Sequence, residues 1–205
     1  MSNKRNPVNF KIIMPFNRPK NAEAVKTGFT DATQGMKGSA ELIAVCSDKS
    51  YVGLFHLSNL VFLMSGFDIC YWKINRTLDQ IELKSDTFYG FICDDDLYEP
   101  DFFKNLEKSI GNFSPRVIVI NMKRWYHESN PKDELFAEPE NMRVCHVGLE
   151  QIFIRGDIME KYRFKNFPHA DGDLVERLYK DMPNDFIFLR NNTPHLFVNW
   201  NKLPA

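Results

Sequence analysis

Along the chain, short unbroken apolar runs alternate with stretches whose apolar residues recur every three to four positions. FKIIMPF (Phe10–Phe16) predicts a first strand, closed by Pro15 and the turn-forming Asn17-Arg18-Pro19. Helical spacing over about Asn21–Thr33 offers Ala24, Val25, Phe29 and Ala32 to one face. ELIAVC (Glu41–Cys46) predicts a second strand, and Val52–Ser65 a helix with Gly66 as its stop. DICYWK (Asp68–Lys73) predicts a third strand, and Asn75–Lys84 a helix. TFYGFIC (Thr87–Cys93) predicts a fourth strand that runs directly into Asp94-Asp95-Asp96. Pro100 then marks a helix start, with Phe102, Phe103, Leu106 and Ile110 on one face and Gly111 as terminator. RVIVI (Arg116–Ile120) predicts a fifth strand, buried on both faces because polar residues never alternate in it.

Strand–helix alternation over residues 10–120 predicts an α/β fold, a three-layer sandwich with a mostly parallel central sheet. Residues 121–147 are more polar and irregular. EQIFI (Glu150–Ile154), a helix near Leu174–Asp181 and the apolar piece Phe186–Leu189 complete the same sheet. No linker interrupts the chain, so a single domain is expected over residues 1–205.

Composition narrows the function. With 43% hydrophobic and 14% aromatic residues the chain is not disordered. A net charge of −1, from 26 Lys+Arg and 27 Asp+Glu, gives no pull towards nucleic acid or anionic membrane. The most apolar stretch, around Leu57–Met64, is shorter than the roughly 20 residues that cross a bilayer. The N-terminus also lacks the apolar segment of a secretory signal. Cys46, Cys70, Cys93 and Cys145 lie far apart with no CxxC pair, which favours free thiols and a cytoplasmic location over zinc ligation.

The neutral total hides a local excess: five carboxylates and no cation lie between Asp94 and Asp101. In open α/β sheets ligands bind beyond the carboxyl ends of strands, where this cluster begins. Glu99 and Asp101 are explained as favourable charges at the start of the following helix. Three consecutive Asp exceed that need. Their mutual repulsion calls for a cation or donors, and their oxygens suit a hard divalent ion that keeps water and phosphate as further ligands.

With these residues in place, the chain resembles glycosyltransferases of the GT-A fold, closest to the large family 2-like group. Four segments carry the resemblance in the family's order: IIMPFNRP, CSDKS, YGFICDDDLYEPDFF and HADGDLVERLYKD. Three departures stand out. The turn Ser47-Asp48-Lys49-Ser50 has less Asp and Gly than the family pattern. Read as Asp-x-Asp, the third segment uses Asp94 and Asp96. Aligned on its Leu-x-x-Pro-Asp, it stresses Asp95 and Asp96 and sets Cys93 where an Asp is usual. Ala170-Asp171 stands for a common Glu-Asp pair.

The resemblance implies a metal-dependent, inverting transfer from a nucleotide-diphosphate sugar to an acceptor hydroxyl. The acceptor would be a glycan, lipid-linked or protein molecule, with nucleic acid disfavoured. It implies Mn²⁺ or Mg²⁺ on Asp94, Asp95 and Asp96, with His195 as an extra ligand. Pro15, Phe16, Asn17, Arg18, Asp48 and Arg76, together with Asp94 and Asp95, would contact the nucleotide sugar. Asp171 would be the catalytic base. Residues 10–120 would form the nucleotide and metal half and 121–205 the acceptor half, with Trp125, Tyr126 and Trp200 available to stack on sugar rings. Asp173 and Glu176 have capping-box spacing instead. Two alternatives stand beside this reading. One is a non-catalytic carbohydrate- or nucleotide-sugar-binding domain, kept open by the missing second acid. The other is a nucleotidyltransferase, disfavoured because IIMPFNRPKN has no Gly-rich phosphate loop.

Overall fold

The computed structural model describes residues 7–46, 48–54, 60–63, 70–111, 113–124, 133–190 and 196–198. In chain order the elements are β1 (Asn9–Phe16), α1 (Ala22–Thr33), β2 (Ser39–Cys46), β3 (Leu60–Leu63), α2 (Cys70–Leu78), β4 (Thr87–Phe91), β5 (Leu97–Tyr98), α3 (Phe102–Ile110), β6 (Val117–Ile120), β7 (Met122–Arg124), β8 (Asp133–Leu135), β9 (Ile152–Arg155), α4 (Gly156–Met159), α5 (Ala170–Asp181), β10 (Phe186–Leu189) and β11 (Leu196–Val198).

Seven strands form the main sheet in the order β10-β6-β9-β4-β1-β2-β3, and β9 alone among them runs antiparallel to its neighbours. β1 lies between β2 and β4, parallel to both, with Phe16 paired to Cys46 and Ile13 to Phe91. The carboxyl ends of these three strands therefore share one edge.

Alternate side chains of each strand enter opposite layers. Phe10, Ile12, Met14 and Phe16 join Val25 and Ala32 of α1 and Phe102, Phe103, Leu106 and Ile110 of α3. Ile13, Ile43, Val45, Tyr89 and Phe91 join Ile74 and Leu78 of α2 and Leu174, Val175 and Leu178 of α5. Both faces are covered, which is why these strands read as continuous apolar runs. Each fully buried Phe or Ile contributes about 1.5–3 kcal/mol of transfer free energy. The three-layer α/β architecture is as expected.

Two adjacent expectations are corrected. Val52–Ser65 is not a helix: Lys49–Leu54 forms a 3-10 turn, and Leu60–Leu63 is β3, paired in parallel with β2. An apolar LVFL run gains ladder hydrogen bonds at that edge. DICYWK is not a strand, because α2 starts at Cys70 and ends at Leu78. Its buried residues Lys73, Ile74, Thr77 and Leu78 have the spacing of one helix face, which outweighs the short apolar run. In the segment expected to be irregular, β7 and β8 join β5 and β11 in a second sheet, of order β5-β11-β7-β8.

All four cysteines are free. Among the described residues no helix is long and apolar enough to cross a membrane.

Candidate functional site

The shared strand edge collects three polar segments: Asn17-Arg18 after β1, Asp48 after β2 and Asp94–Asp96 after β4. The first is tied to the third. Asp94, 2% exposed, accepts the backbone N–H groups of Asn17 at 2.6 Å and Arg18 at 2.7 Å through Oδ2. Its Oδ1 accepts from the Arg18 guanidinium. The Asn21 side-chain amide donates to the Asp94 carbonyl at 2.8 Å. One carboxylate thus closes the turn that Pro19 begins, and its acceptor sites are largely occupied by protein donors. Asp94 anchors this loop.

Asp95 and Asp96 point to different surroundings. Arg18 Nη1 pairs with Asp95 Oδ1 at 3.0 Å, and the Arg18 side chain is 45% exposed, so solvent and ligands reach this pair. Although burial works against its charge, Arg18 is held above its ordinary pKa by the carboxylates of Asp94 and Asp95. Asp96 is 2% exposed and accepts the Cys93 N–H at 3.3 Å. Its carboxylate lies with Cys93 Sγ and a Glu150 oxygen, the three atoms within 4.8 Å of one another. Asp96 is buried in this cluster and Cys93 half-buried.

Pro15 and Phe16 are buried at the end of β1, where Phe16 meets Tyr51 edge-on at 6.0 Å. Asn17 is exposed, yet it is held at both its backbone N–H and its side chain. Lys73 Nζ, on a residue only 1% exposed, donates to Asn17 Oδ1 at 2.9 Å. Lys73 also faces Cys46 at the end of β2; burial pushes that thiol up to about 11 and the ammonium offsets part of the rise. Asp48 is exposed and accepts the Ser50 N–H at 2.8 Å and hydroxyl at 2.7 Å, which together hold its carboxyl below the ordinary value. Arg76 is exposed on α2, with its guanidinium 5.6 Å from the Trp72 ring centre.

Asp171 stands in the first turn of α5 and accepts the Gly172 N–H at 2.9 Å. Tyr71 of α2 faces it. Burial, then the Asp171 charge and a hydrogen bond to it, hold the Tyr71 phenol far above its ordinary range. Tyr71 is fixed by stacking on Phe164, with centroids 5.4 Å apart. The capping box expected from Asp173 and Glu176 does not form. His169 is the N-cap, at φ 66°, so Asp173 already lies inside the helix and pairs with Lys165 at 2.7 Å and Arg177 at 2.8 Å. Glu176 instead accepts the Val144 N–H at 3.2 Å. Gly172 allows that loop to approach, since a Cβ there would lie 2.7 Å from Val144 Cα.

His195, Trp125, Tyr126 and Trp200 lie outside the described residues. Two contributors escaped the sequence reading. Lys73 had a signal, a lysine on the apolar face of a helix, hidden while its segment was read as a strand. Glu150 had none, because only strand pairing brings it to Cys93.

No family model matches the chain, and no curated protein matches it. Solved structures do. Residues 1–349 of Staphylococcus aureus TarS superpose with a TM-score of 0.70 at 16% identity, over 93% of this chain and 60% of that one. The same fragment in complex with UDP gives 0.69 at 14% identity, and in complex with UDP-GlcNAc 0.69 at 16%. The chain spans about 60% of the TarS 1–349 length and 36% of the longer TarS chain. Strand order, the polar carboxyl edge and these superpositions agree: the chain has the GT-A fold, the nucleotide-diphospho-sugar transferase architecture found in family 2-like glycosyltransferases.

Proposed function

We propose that the protein is a metal-dependent glycosyltransferase that moves a sugar, with inversion, from a nucleotide-diphosphate sugar to an acceptor hydroxyl on a glycan, lipid-linked or protein molecule. One observation carries the reading. Helix α2 reaches both halves of the required site: Lys73 fixes Asn17 of the loop beside Asp95, and the same helix carries Tyr71, whose phenol feels the Asp171 charge. The TarS complexes with UDP and UDP-GlcNAc support a donor of this class.

The donor set at the edge fits a hard divalent ion. Asp95 offers a carboxylate whose present partner, Arg18, is half-exposed and could turn to phosphate, and water and diphosphate oxygens would complete the shell. Mn²⁺ or Mg²⁺ held by Asp95 would supply Lewis-acid stabilisation of the diphosphate. Asp94 holds the loop, and its guanidinium partner Arg18 adds positive charge for the leaving group. On this reading Asp48 and Arg76 contact the nucleoside. Asp171 takes the acceptor proton as the acceptor oxygen bonds the anomeric carbon and the bond to the diphosphate oxygen breaks, its electron pair leaving with the diphosphate. Tyr71 positions the Asp171 carboxylate.

Asp171→Asn tests this assignment. Release of nucleoside diphosphate from the donor should fall by about a hundredfold or more, while donor binding stays within about twofold. Near-normal release in that variant contradicts the base assignment. A second reading, a non-catalytic nucleotide-sugar-binding module, draws on Ala170. It is fully buried in the α5 core, at the place of the family's second acid. Unchanged binding with no release in the unmodified protein would select that reading.

A further inference from the structure

Within the proposed transfer reaction, on which this role rests, we infer that Asn75 of α2 is a positioning residue for the base assigned to Asp171: its side-chain amide fixes Phe164 and thereby sets the place of the first turn of α5.

Residues 163–169, which lead into α5, belong to no helix or strand, so their backbone groups need partners from elsewhere. Asn75 supplies both partners for Phe164. Its Nδ2 donates to the Phe164 carbonyl at 2.7 Å, and its Oδ1 accepts the Phe164 N–H at 3.2 Å, across 89 residues of sequence. One amide thus matches the donor and the acceptor of one residue, which no aliphatic side chain reproduces. Phe164, 3% exposed, is also locked through its ring. It stacks on Tyr71 of α2 at 5.4 Å and meets Phe91, the last residue of β4, edge-on at 5.0 Å.

From Phe164 the constraint passes to Asp171 through short contacts. Arg177 of α5 donates through Nη2 to the Arg163 carbonyl at 2.8 Å and pairs through Nε with Asp173 at 2.8 Å. Asp173 also pairs with Lys165 at 2.7 Å. The residues on both sides of Phe164 are therefore fastened to α5, where Asp171 stands two positions before Asp173. Ala170, fully buried, seats the same turn on the core. Asn75 hydrogen-bonds this assembly to α2.

Lys73, two positions earlier on that helix, holds Asn17 on the donor side. Two positions turn a helix by about 200°, so the two side chains leave α2 in nearly opposite directions. One reaches the donor loop and the other the base loop, which makes α2 the spacer between them. A misplacement of about 1 Å between reacting groups costs about a hundredfold in rate, so the grip of this spacer bears on turnover.

A double-substitution cycle tests the role, read by release of nucleoside diphosphate from UDP-, GDP-, CDP- and dTDP-sugars with Mn²⁺. Asn75→Ala should lower release about ten- to a hundredfold while donor affinity stays within about twofold. In an Asp171→Asn background the same change should cost under about twofold, because the base it places is already gone. A merely structural role costs the same factor in both backgrounds. Asn75→Asp keeps the acceptor for the Phe164 N–H; its loss should be smaller, and it carries the cycle if Asn75→Ala fails to fold. Hydrogen exchange without nucleotide should quicken in Asn75→Ala over residues 163–172 and not over β1 or β4. An equal loss in both backgrounds, unchanged release in the folded variants, or unchanged exchange over residues 163–172 overturns the proposal. No release by the unmodified protein, or near-normal release in Asp171→Asn, contradicts the transfer reading instead. Quickened exchange confined to residues 163–172 then still assigns Asn75 the holding of that segment, and unchanged exchange removes it.

Discussion

Removing the Asp94 carboxylate separates two roles that make opposite demands on the metal-free protein. As an anchor, Asp94 holds two backbone N–H groups at 2.6 and 2.7 Å and the Arg18 guanidinium, all on a residue 2% exposed. Asp94→Ala leaves both amides without an acceptor. Each bond to a charged acceptor is worth about 1.5–3 kcal/mol, and the half-exposed Arg18 pair adds under about 1 kcal/mol after solvent screening. Allowing for partial rescue of the amides by water, the expected loss is about 3–5 kcal/mol. For a chain of this size that lowers Tm by roughly 6–20 °C. Asp94→Asn keeps one acceptor oxygen for the amides and should cost about 1–2 kcal/mol. A dedicated metal ligand would behave otherwise: its removal relieves repulsion with Asp95 and leaves the metal-free protein equally or more stable. Urea unfolding with chelator present measures the difference. A loss below about 1 kcal/mol in Asp94→Ala refutes the anchor.

Three further outcomes follow from named contacts. Lys73→Met removes the donor to Asn17 Oδ1 and should lower stability by about 1–2 kcal/mol and nucleotide-sugar affinity by about tenfold, read by calorimetry. Gly172→Ala drives a Cβ to 2.7 Å from Val144 Cα, a backbone clash that should cost about 1–3 kcal/mol by denaturant midpoint and reduce turnover by displacing Asp171. Asp157, paired first with Arg155 and then with Arg116, has its carboxyl lowered from 3.8 to about 2. A depressed folded pKa stabilises above the unfolded value, and that contribution is lost as pH falls through the folded one. About 1 kcal/mol should therefore disappear between about pH 4 and pH 2, and Asp157→Asn should flatten that part of the stability profile.

The sequence exposes the layers of this fold better than its contacts. Strands buried on both faces announce themselves as apolar runs, so β1, β2, β4 and β6 were legible, as was α3 from its phenylalanine spacing and Gly111. The β3 segment reads as helix and the start of α2 as strand, because four to six apolar residues fit either period. The acid cluster was legible as a site, but its division of labour was not. Asp94 finds its partners 76 and 77 residues away, and Cys93 meets Glu150 across 57 residues. Such distances are bridged by parallel and antiparallel pairing, which a linear motif does not encode. Asp95, which the Leu-x-x-Pro-Asp alignment stresses and the Asp-x-Asp reading leaves out, is an acid beside the half-exposed Arg18.

The proposed function stands on metal-dependent binding of a nucleotide-diphosphate sugar at the Asp95 edge. Isothermal calorimetry with UDP-, GDP-, CDP- and dTDP-sugars, with Mn²⁺ and with chelator, measures it directly. At least one sugar nucleotide should bind with Mn²⁺, weaken by about tenfold or more without it, and lose that metal dependence in Asp95→Asn. Binding by none of them, or binding unchanged by chelator and by Asp95→Asn, would contradict it.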